Sequence, residues 1–296
     1  MTCCIAALCD NRKAIVLAAD KMISWKDVIE SEPDIHKISQ LARDWWVMFS
    51  GNDIGPVFDV VDRAKQKLSG KRAVGLQEAT DAVETSYFQK RAELAEAQYL
   101  KPRGLTLQQF NSNATSEWIS ESLRATIGDS MQAYTMPLSL LVAGFDSKRQ
   151  GHIFSVDDSY YGGNRGAAQR HDIPGFHAIG SGSIGASYIM TFRKVSPSLP
   201  IRETLYYVAE GKYYGEFAGG VGLRTDLYIL RPGKEKIGIK EWAVDDKLMK
   251  LCERLQPRAL DKRAIEVLNS FHGKRMNTIP KLKSARDRNK KLTITI

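Results

Sequence analysis

Two short and nearly continuous apolar runs stand near the start of the sequence. They span residues 3–9 (CCIAALC) and 14–19 (AIVLAA), and the polar residues Asp10-Asn11-Arg12-Lys13 separate them. Apolar runs of this length between turn-forming residues are typical of fully buried strands. The pattern therefore predicts a buried β-hairpin over residues 3–19.

The spacing of the apolar positions then alternates between strand-like and helix-like. Residues 45–49 (WWVMF) predict a third strand, and residues 57–68 carry apolar positions at helical spacing. Further helices are predicted at 76–99, 116–127, 184–194 and 201–217, further strands at 139–143, 152–156, 176–179, 226–230 and 236–242, and loops at 105–115 and 160–170. This order predicts an α+β fold in which two central sheets carry helices on both outer faces.

Charge divides the chain into two parts. Residues 245–296 hold 14 of the 43 basic and 6 of the 34 acidic side chains, a net charge of +8, whereas the rest of the chain has a net charge of +1. We therefore predict a domain at 2–244 and a basic helical extension at 245–296. Attraction to an anionic partner is expected in the extension alone. Because Phe271 is its single aromatic residue, nucleic-acid binding by base stacking is not expected.

Composition narrows the class of protein. The chain has 296 residues, of which 43% are hydrophobic and 26% charged, as in ordinary globular proteins. It has no apolar run of the roughly 20 residues that span a bilayer, and its start lacks the pattern of a secretory signal. We therefore expect a cytoplasmic protein that does not enter the membrane.

The four cysteines give no sign of a metal site or a disulfide framework. Cys3, Cys4, Cys9 and Cys252 show no C-x-x-C spacing, and the five histidines show no paired spacing. The cysteines are expected to be small buried groups in a reducing compartment. We expect no metal and no organic cofactor.

The candidate chemistry begins at Thr2. A small second residue permits removal of the initiator methionine, which would expose a threonine whose α-amine can act as the base for its own hydroxyl. Asp20 ends the second predicted strand, and Lys37 lies between apolar neighbours. A lysine near the hydroxyl and the amine would lower their pKa values, and a carboxylate would orient that lysine. Cys3 is a weaker candidate nucleophile, because it should point to the opposite face of the strand.

Six short motifs in sequence order resemble those of the proteasome β-subunit family, which includes bacterial proteasome-type proteases. The resemblance covers about residues 2–240, apart from an enlarged helical segment around 70–135. The motifs are TCCIA at 2–6, VLAADK at 16–21, HKI at 36–38, FSG at 49–51, LVAGFD at 141–146 and AIGSGS at 178–183.

The resemblance implies the fold of the N-terminal nucleophile hydrolases, a four-layer α-β-β-α sandwich, and a threonine-type peptidase. Carried over by position, Thr2 is the nucleophile and its amine the base, and Asp20 and Lys37 tune it. Gly51 supplies an N–H to the oxyanion, and Ser181 hydrogen-bonds near the amine. The resemblance also implies a peptide or protein substrate and assembly into a homo-oligomer; it leaves any ATPase partner unidentified.

One segment departs from the family pattern. Active members usually carry an Asp, two further residues and Ser-Gly-Gly, whereas residues 215–220 read GEFAGG. Gly215 takes the place of the aspartate and Ala218 that of the serine, so we expect weaker support for the amine or a different source, with Glu216 as a candidate. Two alternatives therefore stay open: an inactive proteasome-like scaffold or binding subunit, and an acylase that acts on a small non-peptide amide.

Overall fold

The computed structural model describes residues 2–25, 29–31, 36–112, 119–158, 166–233 and 237–239, with backbone alone at 23–25, 29–31 and 237–239. The predicted extension at 245–296 and Cys252 lie outside the described residues, as do parts of the predicted loops at 105–115 and 160–170, of the helix at 116–127 and of the strand at 236–242. Within them the fold is mixed α+β. The strands are β1 (Cys4–Cys9), β2 (Ala14–Asp20), β3 (Ile23–Trp25), β4 (Ile29–Ser31), β5 (Ile38–Ala42), β6 (Trp45–Gly51), β7 (Leu138–Phe145), β8 (Gly151–Asp157), β9 (Gln169–Arg170), β10 (Phe176–Ile179), β11 (Thr225–Leu230) and β12 (Ile237–Ile239).

The described residues form six α-helices and one 3-10 turn at Lys101–Arg103. None of these helices has the combination of length and apolar content needed to cross a membrane. The helices are α1 (Gly55–Leu68), α2 (Leu76–Tyr99), α3 (Leu107–Asn111), α4 (Glu121–Ala133), α5 (Ser183–Phe192) and α6 (Ile201–Gly215).

The predicted hairpin forms the centre of the first antiparallel sheet, whose order is β10-β1-β2-β11-β12. Strands β1 and β2 pair from Cys4 with Ala19 to Cys9 with Ala14, and every residue of both is buried. The turn between them places Asp10, Asn11 and Arg12 in the left-handed region, with φ of 51°, 56° and 66°. The second antiparallel sheet has the order β5-β6-β7-β8-β9, and β3 and β4 form a separate two-stranded ribbon.

Three apolar clusters hold the sheets and helices together. One lies between the two sheets and contains Leu17, Met48 and Leu141. A second joins the outer face of the first sheet to α5 and α6, and a third joins the outer face of the second sheet to α1 and α2. Alternate residues of β1 supply the first two clusters, because successive side chains of a strand point to opposite faces. The expectation of an α+β fold with two sheets is confirmed, and both sheets are antiparallel.

Most predicted elements are present, with several corrections. Strand β5 was not predicted, and β9 lies in the loop expected at 160–170. The described part of the helix expected at 116–127 begins at Glu121 and continues to Ala133, and the Ser120 hydroxyl accepts a hydrogen bond from the Leu123 amide at 3.3 Å. The loop expected at 105–115 contains α3, which starts after Thr106 because Thr106 and Gln109 form a capping box. Capping decides both positions, and the hydrophobic pattern does not report it.

Candidate functional site

Thr2 is held where β1 begins. Its carbonyl oxygen accepts a hydrogen bond from the Gly182 amide at 3.1 Å, and its own nitrogen donates to the Ser181 hydroxyl oxygen at 3.3 Å. Both partners belong to the turn between β10 and α5. Ser181 is exposed whereas Thr2 is buried. The turn therefore fixes the backbone on both sides of the Thr2 side chain.

Lys37 connects the hydroxyl of Thr2 to the carboxylate of Asp20. Its ammonium nitrogen lies 2.7 Å from Thr2 Oγ1, 3.1 Å from Asp20 Oδ1 and 3.0 Å from Asp20 Oδ2. Asp20 is fully buried and Lys37 is 3% exposed. Because a buried charge is tolerated when it is paired and hydrogen-bonded, the two groups depend on each other. The cation is placed to stabilise negative charge that develops on the threonine oxygen.

Three backbone amides orient the Asp20 carboxylate. Cys3 N donates to Oδ1 at 2.8 Å, and the amides of Met22 and Gly222 donate to Oδ2, each at 3.1 Å. Together with Lys37 these donors occupy both carboxylate oxygens. The donors lie just before β1, just after β2 and in the segment after α6, so the orientation of Asp20 depends on three parts of the fold.

The end of β6 reaches the same place. A side-chain carbon added at Gly180 would lie 2.2 Å from Thr2 O and 3.0 Å from Ser50 Oγ, so both residues border Gly180. Gly51 follows Ser50 as the last residue of β6. Its α-carbon lies close to Pro137, because a side-chain carbon added at Gly51 would lie 2.7 Å from Pro137 O. The structure therefore brings Thr2, Asp20, Lys37 and Ser181 into direct contact and places Gly51 at the neighbouring strand end.

The segment that departs from the family pattern, residues 215–220, packs against Cys3 at Gly215. A side-chain carbon at Gly215 would lie 2.7 Å from Cys3 Sγ and 3.0 Å from Gly182 O, so an aspartate has no space there. Glu216 accepts a hydrogen bond from the ammonium of Lys212 at 2.5 Å. The carboxylate that was a candidate for the missing aspartate therefore forms an ion pair with a lysine that the sequence analysis did not single out.

The three described cysteines are free and buried, as predicted. Burial raises the pKa of the Cys3 thiol to about 12, although the charge of Lys212 acts in the opposite direction. Burial also raises the pKa of Cys4 well above its ordinary value and that of Cys9 to about 12. Because the thiolate is the reactive form, these groups are poor nucleophiles at neutral pH. This agrees with the preference for Thr2 over Cys3.

Sequence reasoning missed Gly180, Gly222 and Lys212 as parts of the site. The local signal for Lys212 was weak: a glutamate follows four residues later, but Lys212 otherwise looks like one polar residue on a helix. Gly222 had no comparable signal, because its role depends on how the chain returns from α6 to β11.

Comparison of the sequence with models of known protein families, and with curated proteins, found no match. Among the described residues, no group of three or more His, Cys, Asp or Glu side chains could hold a metal ion. The interpretation of the site therefore depends on its geometry and on the short motifs.

Proposed function

We propose that this protein is an N-terminal threonine amide hydrolase that cleaves peptides, similar to proteasome β-subunits. The observation that carries the proposal is the contact of 2.7 Å between Lys37 Nζ and Thr2 Oγ1, with Asp20 bound to the same ammonium. A buried Lys–Asp pair directed at a hydroxyl would activate that hydroxyl as a nucleophile. Four of the five residues that the motifs indicated lie in direct contact.

The arrangement of sheets and helices supports the same proposal. Apolar clusters lie between the two sheets and on the helix-covered outer face of each. This is the layering expected of a four-layer α-β-β-α sandwich. Thr2 would then begin a central strand of one sheet, and Gly51 would end a strand of the facing sheet.

In the proposed cycle, Thr2 Oγ1 attacks the carbonyl carbon of the substrate after its proton passes to the free α-amine. Lys37 stabilises the negative charge on the attacking oxygen, and the Gly51 N–H binds the oxyanion. One donor of this kind is typically worth about 2.7–4 kcal/mol in the transition state. The protonated amine then gives its proton to the leaving amine, and water hydrolyses the acyl-enzyme ester. The cycle requires removal of Met1, because the α-amine must be free.

The test is the intact mass of the purified protein before and after incubation with a peptide epoxyketone, which needs a hydroxyl and a free amine on the same terminal residue. We expect loss of the Met1 mass and one adduct per chain. The variant Thr2→Ala should form no adduct. A chain that retains Met1 and forms no adduct contradicts the proposal.

Two other functions remain as outcomes of further tests. The absence of space for an aspartate at Gly215, together with Ala218, favours an inactive proteasome-like subunit, for which Thr2→Ala would have no effect on assembly or binding. An acylase of small amides would share the adduct of Thr2. Turnover of a non-peptide amide library, with no turnover of peptides, would identify an acylase.

We also propose that the chain assembles with copies of itself. Helix α5 contains no Asp, Glu, Lys, Arg or His, yet Ile184, Tyr188 and Phe192 are each about 70% exposed. These residues are spaced four apart and lie on one face of the helix. Between this helix and β10 lies an open groove of about 470 Å³. The guanidinium of Arg193 lies over the Phe192 ring and is paired with Glu210, so two copies of this face would bring no unpaired like charges together.

A further inference from the structure

A buried lysine lies behind the proposed active site without touching Thr2. Lys212 is fully buried on the inner side of α6. Its ammonium donates to Glu216 Oε1 at 2.5 Å and to the carbonyl oxygen of Gly222 at 2.6 Å. The first contact lies where the turn after α6 begins, and the second lies where that turn ends. Lys212 therefore joins the two ends of the turn at residues 216–222.

This turn is closed by hydrogen bonds from Ala218 N to Gly215 O and from Val221 N to Ala218 O, and Val221 is buried. The turn contains Gly219 and Gly220 in succession, and Gly220 has a left-handed φ of 74°. A side-chain carbon at Gly219 would meet no atom within 4 Å. Glycine has the largest conformational freedom of any residue, so a contact that joins both ends of the turn restricts it further.

Gly222 connects this contact to Asp20. Its carbonyl oxygen accepts from Lys212, and its amide donates to Asp20 Oδ2 at 3.1 Å. Asp20 in turn binds the ammonium of Lys37, which contacts the Thr2 hydroxyl. A continuous chain of hydrogen bonds therefore runs from Glu216 and Lys212 through Gly222 to the nucleophile.

We propose that Lys212 is a positioning residue that, through Gly222, holds Asp20 and Lys37 in line with Thr2. This inference rests on the proposed threonine hydrolase function and adds a residue to it. The Lys212–Glu216 pair occupies the region where the family pattern would have its aspartate and serine. The pair supports the site through the turn after α6. At Gly215 itself, Cys3 and Gly182 leave no space for a side chain.

The test uses the full chain in three forms: wild type, the double variant Lys212→Met/Glu216→Gln, and Lys212→Arg. The double variant removes both charges together, because removing one partner of a buried pair leaves the other uncompensated and can prevent folding. The matched control changes both members of another buried pair, Arg193→Met with Glu210→Gln; Glu210 lies on α6 and binds Arg193, which follows α5.

The first readout is hydrogen exchange of the Gly222 amide, followed by NMR. We expect exchange at least about 10-fold faster in the double variant, because the hydrogen bond to Asp20 is then held less of the time. The control should retain the wild-type rate at Gly222. Unchanged exchange in the double variant overturns the inference whether or not the protein is a hydrolase.

The second readout is the rate at which a peptide epoxyketone labels Thr2, as a function of probe concentration and pH. We expect the limiting rate of the double variant to fall about 10- to 100-fold with unchanged affinity for the probe, because misplacement near the reacting atoms acts on the chemical step. The acid limb of the pH profile should move to higher pH, since a displaced Lys37 no longer favours the unprotonated amine. Lys212→Arg should restore part of the rate.

The outcomes separate the two proposals. If the wild type forms no adduct, the hydrolase proposal fails, and faster exchange at Gly222 still supports the anchoring by Lys212. If the wild type is labelled and the double variant is labelled at the same rate with the same pH profile, the positioning role is overturned.

Discussion

At position 180 the backbone requires glycine for two separate reasons. The residue has a φ of 92°, and an added side-chain carbon would overlap the carbonyl oxygen of Thr2. Backbone strain at a positive φ costs about 1–3 kcal/mol for a residue other than glycine. We expect Gly180→Ala to lower the free energy of unfolding by more than this amount, because the added carbon also displaces Thr2. Gly70→Ala is the matched control, because Gly70 has a φ of 78° with nothing within 4 Å. Equal denaturation midpoints for the two variants would contradict the close contact with Thr2.

A second prediction at this scale concerns Lys37. Replacement by methionine keeps most of the volume but removes the cation beside Thr2 Oγ1 and leaves Asp20 buried without its partner. We expect epoxyketone labelling of Thr2 to slow by about 10²–10³-fold and the free energy of unfolding to fall by about 3–5 kcal/mol. Labelling rates and urea denaturation measure the two effects. The variant Lys67→Met, at an exposed position of α1, should match the wild type in both, and labelling of Lys37→Met at the wild-type rate would contradict the role of Lys37.

Residue types and motif order were sufficient to predict Thr2, Asp20, Lys37 and Ser181 as candidates, because each of them carries side-chain chemistry. Gly222 was not predictable in this way, since it contributes through its backbone amide and carbonyl. Lys212 looked like one polar residue on a helix until α6 and the following turn were seen together. Roles that depend on tertiary packing leave little trace in the local sequence.

At the scale of elements, the sequence predicted the helices and strands whose apolar positions repeat with a single helical or strand spacing. The bounds of α2 and β10 agree with the predicted ones, since α2 is long and β10 is short and apolar. Strand β5 was missed because Ile38 and Leu41 pack into clusters on opposite sides of the strand and leave no alternation to detect. A register shift near Gln40 disturbs the pattern further.

The edges of the two sheets are joined by a pair of histidines whose charge state should affect stability. His171 follows β9 and His177 lies in β10, with their rings stacked at 3.6 Å. Burial and the neighbouring His177 lower the pKa of His171 to about 4, although Asp157 and Asp172 oppose this, and burial lowers the pKa of His177. His171 is therefore neutral in the folded protein at pH 6.5, and burial disfavours the charged form of His177.

Because an unfolded histidine has a pKa of about 6.5, the unfolded chain binds more protons between about pH 6.5 and pH 4. The contribution of this pair to the free energy of unfolding is therefore fully present above pH 6.5 and falls as the pH decreases toward 4. We expect Tm to fall across this interval, and to fall less in His171→Gln, which keeps a polar partner for Ser155 Oγ, 2.8 Å from His171 Nε2. Calorimetry at half-unit pH steps measures both curves, and parallel curves would contradict the role of the pair.

At the scale of the whole molecule, the fold class follows from the sequence order of strands and helices, whereas the surfaces do not. The order predicted an α+β fold with two sheets, and the described residues form two antiparallel sheets and six α-helices. An exposed apolar position such as Tyr188 has the same local pattern as a buried one, so its exposure could not be predicted from one sequence. Only the packed fold separates the face of α5 that meets the sheet from the face that meets solvent.

The exposed face of α5 leads to the last prediction, on the mass of the protein in solution. If this face joins two copies, light scattering should give a multiple of the 33.1 kDa chain mass. Tyr188→Glu should shift the distribution toward the monomer, because each contact would bury two carboxylates without partners and bring like charges together. Leu123→Glu, at an exposed apolar position of α4, is the matched control and should leave the mass unchanged. A wild-type protein with the mass of one chain would contradict self-association, and a Tyr188→Glu protein with the wild-type mass would place the contact on another face.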